Sequence, residues 1–170
     1  MKRIFDLFLV LIAMPILIPI YFLVALITWL KLGSPILFKQ PRPGQNKKVF
    51  NLIKFRTMTN DRDANLVLLA DSIRLTRFGK FLRSTSLDEL PNLWNVFKGD
   101  MSLVGPRPCL LNQRKLISER KKRGVFKVRP GITGLAQING ITMQTPTLLA
   151  KTDAKMIKKM NFYYYFYYIF

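Results

Sequence analysis

The sequence contains no histidine, and that absence removes a large part of ordinary enzyme chemistry. A Ser-His-Asp triad, a histidine general base and a histidine-ligated zinc are all excluded. The single cysteine, Cys109, permits no intramolecular disulfide and no multi-cysteine zinc site; its expected state is buried and inert. Acidic residues are also scarce, 9 against 28 lysines and arginines, leaving a net charge of +19. Any metal would therefore be a hard cation such as Mg²⁺, held by carboxylates and by the phosphate of a substrate. The basic excess points to polyanionic company, namely nucleic acid, an anionic membrane face or phosphorylated substrates, unless it is merely a solvated surface. A length of 170 residues predicts one domain with a modest core.

Charge is missing altogether from residues 7–30, a run of 24. At a rise of 1.5 Å per residue this makes about 36 Å of helix, enough for the hydrocarbon core of a bilayer. The run has no small-residue cleavage site of the secretory type, so it is expected to stay attached and to lie in a membrane. Lys2 and Arg3 precede it, and Lys31, Lys39 and Arg42 come after it. Positive charge on both flanks conflicts with a simple crossing, because both flanks prefer the cytoplasmic side. Pro15 and Pro19 lie mid-run, and each removes a backbone donor. A helix that breaks near these prolines and leaves by the face it entered satisfies both observations; a kinked single-pass anchor is the alternative. With such a segment present, lipid and phosphate become the favoured anions and no nucleic acid is expected.

Further along, residues 36–38 read as a short extended piece, Pro41-Arg42-Pro43-Gly44 as a turn, and residues 49–55 as a strand. Residues 65–73 read as a short helix, and residues 76–82 as a basic amphipathic one. Residues 110–127 read as a helix whose Arg120-Lys121-Lys122-Arg123 run is a solvated face, and another helix begins after Thr145-Pro146. The last ten residues, 161–170, hold eight aromatics, which suits either a bilayer interface or a partly ordered end.

The most informative stretch is residues 84–108. Ser86 and Glu89 have the spacing of a capping box, Leu90, Leu93, Trp94 and Phe97 recur with helical period, and Gly99 is a stop. The adjacent Asp88 and Glu89 would then sit in the first turn of a helix. Such a pair can simply cap the helix, but its field also favours an ionised carboxylate, suited to a nucleophile or a Mg²⁺ ligand. Arg107, pinned between Pro106 and Pro108, and Arg129, before Pro130-Gly131, are the leading candidates for bidentate phosphate contact. Arg42 and Arg56 sit in comparable surroundings and could equally serve folding or membrane docking.

Taken together, these motifs resemble the bacterial sugar transferase family, the small monotopic phosphoglycosyl transferases. The resemblance rests on Leu87-Asp88-Glu89-Leu90-Pro91 and on residues 94–108 through Gly105-Pro106-Arg107-Pro108. It extends over Lys2-Arg3-Ile4-Phe5-Asp6, Arg42-Pro43-Gly44, Lys54-Phe55-Arg56-Thr57-Met58, Arg129-Pro130-Gly131-Ile132-Thr133-Gly134 and Gln137-Ile138-Asn139-Gly140, nearly the whole chain. It implies an α-rich α+β fold with a small β element. Residues 1–32 would form a re-entrant (helix-break-helix) membrane segment, and residues 33–170 a single catalytic domain on the cytoplasmic face of a bacterial inner membrane. The family's usual Ser-Pro break reads Ile18-Pro19 here.

The same resemblance implies the reaction. Asp88 would attack the β-phosphate of a UDP-sugar, expel UMP and hold the phosphosugar as an aspartyl ester. Mg²⁺ would bind at Asp88, and Glu89 would assist the acceptor, polyprenol (undecaprenyl) phosphate, in taking the phosphosugar. This would be the first membrane step of a glycan pathway. Asp153 falls near a further family aspartate, although Ala154-Lys155-Met156 replaces the aromatics that usually come next. Anionic lipids are expected partners and a homo-oligomer is left open. Family members usually continue beyond the point matching Phe170, which keeps a non-catalytic membrane-tethered binding or scaffold protein as the rival reading.

Overall fold

The uncharged run becomes part of one long helix. The computed structural model describes residues 2–169; Met1 and Phe170, the last aromatic of the tail, lie outside the described residues. Helix α1 spans Lys2–Leu32, 31 residues, with Pro15 and Pro19 inside it. Each proline withdraws one N–H from the helical ladder, yet the helix continues past both. The break expected at these residues thus takes the form of two missing donors within one helix rather than an interruption. Most of the apolar surface of α1 faces outward, with Ile16 70 % and Phe22 67 % exposed. By length and composition this helix is able to cross a membrane.

The chain is mostly helical, and its contacts gather it into two units. One comprises Met1–Val10, Gln40–Leu52 and Asn92–Phe170; the other comprises Leu11–Lys39 and Ile53–Pro91. Strands β1 (Leu37–Pro43) and β2 (Val49–Phe55) pair in a two-stranded sheet. The strand expected over residues 49–55 is therefore found. The turn comes later than proline content suggested: β1 runs through Pro41 and Pro43, and the chain reverses at Gly44, whose N–H donates to the Lys48 carbonyl at 2.8 Å.

In the first unit, α4 (Asn92–Lys98), β3 (Ser102–Val104), α5 (Arg114–Lys122), β4 (Gly131–Thr133), α6 (Leu135–Ile138), α7 (Pro146–Lys159) and α8 (Phe162–Tyr167) succeed one another in order. β3 and β4 pair in parallel, Ser102 opposite Gly131 and Val104 opposite Thr133. Beyond that register the two Pro-rich loops pass at van der Waals distance: a Cβ on Gly131 would lie 2.0 Å from the Gly105 nitrogen, so only glycine fits. One apolar cluster joins Val104, Met156, Tyr165 and Tyr168 to Phe5 and Leu9 of α1; another joins Cys109, Leu116, Ala136, Leu149 and Ala150. Cys109 is buried and unpaired, as its isolation in the sequence implies.

Two buried carboxylates tie this unit together. Asp6 accepts hydrogen bonds from the Ser102 hydroxyl, the Leu103 amide at 3.0 Å and the Tyr165 hydroxyl at 2.8 Å, fixing the first turns of α1 to β3 and α8. Burial and that contact push the Tyr165 phenol well above its ordinary pKa. Asp153, fully buried, accepts from Arg120 Nε at 3.0 Å and Nη2 at 2.7 Å, locking α7 to α5. Arg120 therefore departs from the solvated face expected of residues 120–123: it is 2 % exposed, four residues from buried Leu116 on the inward side of α5.

The second unit packs residues 20–25 of α1 against β2 and α3 (Arg77–Ser84), around Val24, Phe55 and Leu82. Thr76 caps α3, its hydroxyl oxygen accepting from the Gly79 amide at 2.9 Å. The short helix expected over residues 65–73 shrinks to α2 (Asp71–Arg74). Asp63 explains the loss: its carboxylate accepts from the amides of Asn65 and Val67, both at 2.9 Å, and holds the backbone in a local turn instead.

Candidate active site

β2 delivers the first part of the site. Phe55 is buried in the core of the second unit, and strand alternation sends its neighbours Lys54 and Arg56 to the opposite side. The ladder continues to Arg56, whose amide donates to the Ile36 carbonyl at 2.9 Å. Lys54 Nζ reaches Glu89 Oε1 at 2.5 Å and Asp88 Oδ2 at 3.5 Å. The three side chains are largely shielded, with 19 %, 14 % and 8 % of the Lys54, Glu89 and Asp88 side chains exposed.

Asp88 and Glu89 do not sit in the first turn of a long helix. They belong to a single 3₁₀ turn, Leu87–Glu89, and α4 starts separately at Asn92. Pro91 is the reason, because within a helix begun at Ser86 it would remove a donor and clash with the preceding turn. The capping box is absent as well: Ser86 adopts a left-handed conformation, φ 56°, and its side chain caps nothing. Glu89 bonds Lys54 instead. Without a helix terminus behind it, Asp88 is governed by burial, which lifts its pKa above the usual carboxylate value; Lys54 pulls it down, while Glu89 adds to the rise. The Lys54 ammonium thus works against burial in favour of the ionised form of Asp88, the form that a nucleophile or a metal ligand requires.

Arg56 lies in the same unit. It is 8 % exposed, and its Nε and Nη1 have no hydrogen-bond partner. Two unsatisfied guanidinium donors out of reach of bulk water are costly unless an anion meets them. No group of three or more Asp, Glu, Cys or His side chains suited to a metal occurs among the described residues. Two adjacent carboxylates nevertheless fit Mg²⁺, which characteristically takes one or two carboxylates and completes its shell with phosphate oxygens and water.

The remaining candidates fall in the first unit. Arg107 is exposed on the Gly105-Pro106-Arg107-Pro108 loop, and its carbonyl accepts from Arg120 Nη1 at 2.9 Å. Arg129 donates from Nε to the Gly99 carbonyl at 2.7 Å, and its loop is the one pressed against Gly105. Arg42 braces the same region, donating to the Pro108 carbonyl at 3.1 Å and to Gln40 at 2.6 Å. Asp153 holds the buried Arg120 ion pair described above. The residue that sequence reasoning passed over is Lys54, although it opens the Lys54-Phe55-Arg56-Thr57-Met58 motif. Its position two before Arg56 on a strand was the available signal.

Comparison with known proteins gives this geometry a context. The family model described as bacterial sugar transferase matches residues 1–170. The chain is 49 % identical over 140 residues to an uncharacterized sugar transferase, EpsL, of Bacillus subtilis, covering 82 % of this chain and 69 % of that protein. It is 45 % identical over 147 residues to an undecaprenyl-phosphate glucose phosphotransferase of Komagataeibacter xylinus, covering 82 % of this chain but 28 % of that one. It is 41 % identical over 167 residues to the UDP-glucose:undecaprenyl-phosphate glucose-1-phosphate transferase of Klebsiella pneumoniae, covering 95 % and 34 % respectively. The chain thus spans about two thirds of the first relative and about a third of the other two. With the family model matching residues 1–170 and the acidic pair gathered onto Lys54, the chain belongs to the bacterial sugar transferase family.

Proposed function

We propose that this chain is a phosphoglycosyl transferase, moving a sugar-1-phosphate from a UDP-sugar to polyprenol phosphate at a membrane and releasing UMP. The observation that carries the reading is the shielded Lys54–Asp88–Glu89 cluster with the unsatisfied Arg56 in the same unit. The names of the Komagataeibacter and Klebsiella relatives support the substrates and make UDP-glucose the first donor to test.

In the proposed reaction an ionised Asp88 oxygen attacks the β-phosphorus, and the bond from that phosphorus to the oxygen bridging the two phosphates breaks. UMP leaves with the bonding pair, and the phosphosugar stays on Asp88 as an acyl phosphate. A phosphate oxygen of polyprenol phosphate then attacks the same phosphorus, the bond to Asp88 breaks, and polyprenol-diphosphate-sugar departs with the carboxylate restored. Lys54 favours the ionised form of Asp88 against its burial. Arg56 offers its unsatisfied donors to a phosphate; Arg107 and Arg129 are proposed as further phosphate ligands. Glu89, held by Lys54, is proposed to assist the acceptor. When bound by Asp88 and the diphosphate, Mg²⁺ would neutralise the charge gathering on the leaving phosphate.

Membrane insertion by re-entry, on the cytoplasmic side, belongs to the same proposal. Phe5 and Leu9 of α1 pack within one unit, and Ile20, Val24 and Ala25 pack within the other. Positive charge stands on both flanks of the apolar run, Lys2 and Arg3 before it and Lys31, Lys39 and Arg42 after it, and both flanks prefer the cytoplasmic side.

The test is UMP release by purified protein with Mg²⁺, undecaprenyl phosphate and a panel of UDP-sugars headed by UDP-glucose. Release by wild type and not by Asp88→Asn supports the reaction and the nucleophile. Release of one equivalent of UMP before any acceptor is added supports the covalent route. Equal release by both proteins would remove Asp88 from its role.

A further inference from the structure

One feature of the first unit has no part in this chemistry. The end of α5, the turn after it and the outer face of α7 line an open groove of about 900 Å³. Lys121 and Lys122 line it from α5, and Lys151, Lys155, Lys158 and Lys159 line it from α7. Arg123 and Lys127 complete the wall, so eight of its ten lining residues are cationic. Among the described residues Glu119 is the one carboxylate paired with any of them, at 2.5 Å to Arg123 and 3.4 Å to Lys122. The four α7 lysines have no ion-pair partner among the described residues. Their spacing of four, three and one puts them on one helix face, opposite the inward Leu149, Asp153 and Met156.

A solvated lysine face is usually convex and free to spread. This one is concave, and its walls are held together by the buried Arg120–Asp153 pair. The cations cannot separate to relieve their repulsion except by side-chain swing, so the groove is poised for an anion. The neighbouring helix indicates which anion. Directly after Lys158 and Lys159 comes α8, capped by the Asn161 side chain, with Phe162, Tyr163 and Tyr167 each more than half exposed. Phe162 packs edge-on against Phe5 in the first turns of α1, ring centroids 5.1 Å apart. Lysines beside exposed aromatics, at the foot of a long apolar helix, are the combination that suits the headgroup layer of a bilayer.

We propose that the α5–α7 groove is a binding site for the phosphate headgroups of anionic phospholipids. It seats the first unit on the membrane surface, with α8 at headgroup level. The inference rests on the membrane association proposed above and is independent of the transferase chemistry.

The full chain, purified in detergent, tests it by native mass spectrometry with phosphatidylglycerol, phosphatidylcholine or pyrophosphate as the added ligand. Two variants are compared, one carrying Lys151→Gln, Lys155→Gln, Lys158→Gln and Lys159→Gln, the other arginine at the same four positions. Wild type is expected to retain phosphatidylglycerol in preference to phosphatidylcholine. The glutamine variant should bind phosphatidylglycerol at least about tenfold more weakly, the scale of one or two lost headgroup charges. The arginine variant should keep the preference, since charge and not lysine itself is at issue. Equal retention of the two lipids by wild type, or an undiminished preference in the glutamine variant, would overturn the site. Pyrophosphate binding without any lipid preference would overturn the lipid assignment and leave a soluble phosphate as the ligand. Failure of wild type to enter phosphatidylcholine nanodiscs would count against membrane association itself, a separate result.

Discussion

Asp88 and Asp153 are both buried aspartates, and in both burial raises the pKa while cations oppose it, chiefly Lys54 with a smaller pull from Arg83 at Asp88, and Arg120 at Asp153. They nevertheless do different work. Asp153 is sealed, 0 % exposed, with a guanidinium donating two hydrogen bonds to one oxygen; its partner Arg120 is itself 2 % exposed. Asp88 retains some access, and its Lys54 lies 3.5 Å away with Glu89 closer, at 2.5 Å. A rigid fork that cannot lose its proton makes a strut; a single flexible ammonium shared by two carboxylates makes a site that can rearrange. The difference lies in whether the cation is left stranded when the carboxylate is engaged elsewhere. Arg120 would be; Lys54 would still have Glu89.

Substitution can break this comparison at either end. Asp88→Asn should lower UMP release by at least about a thousandfold, the usual scale for loss of a nucleophile. It should not lower the melting temperature, because it removes a buried charge without orphaning Lys54. The sign comes from the raised pKa: ionisation of Asp88 lowers stability as pH climbs from the ordinary aspartate value through the raised one, and asparagine lacks that penalty. Asp153→Asn should do the opposite to the fold, costing about 3–5 kcal/mol in urea unfolding because Arg120 is left buried and unpaired. Arg120→Met combined with Asp153→Leu should recover most of that loss. A fully stable Asp153→Asn protein would show that the pair is not a strut.

Smaller changes sharpen the contrast. Gly131→Ala should cost about 1–3 kcal/mol by urea unfolding, since a methyl would meet the Gly105 backbone and the paired loops must part. Lys54→Met should act through titration. With its main opposing cation gone, Asp88 ionises at a higher pH, so the acid limb of the pH–rate profile should move upward. An unmoved limb would mean that Asp88 ionisation does not limit the rate.

Much of the candidate site was legible along the chain, because its residues lie in short contiguous motifs. Asp88 and Glu89 stand side by side, and β2 has the bounds that its β-rich run predicts. What misled was local pattern overridden by one residue. The Ser86–Glu89 spacing reads as a capping box, but Pro91 ends that helix before it begins. Residues 120–123 read as a solvated run, yet helical geometry turns Arg120 inward to an aspartate 33 positions away. No window of sequence contains that partner.

The sequence by itself determined the chemistry that is excluded, by having no histidine and one cysteine, and it determined the apolar helix, by withholding charge from residues 7–30. These depend on composition and short-range order, which need no partner from elsewhere in the chain. Tertiary structure alone decided which cation meets which carboxylate. It joined Lys54 to residues 34 and 35 positions on, left Arg56 unsatisfied, closed Arg120 onto Asp153, and gathered lysines from two helices into one groove. The physical reason is that an ion pair depends on distance and shielding in space, and neither quantity exists until the chain has folded.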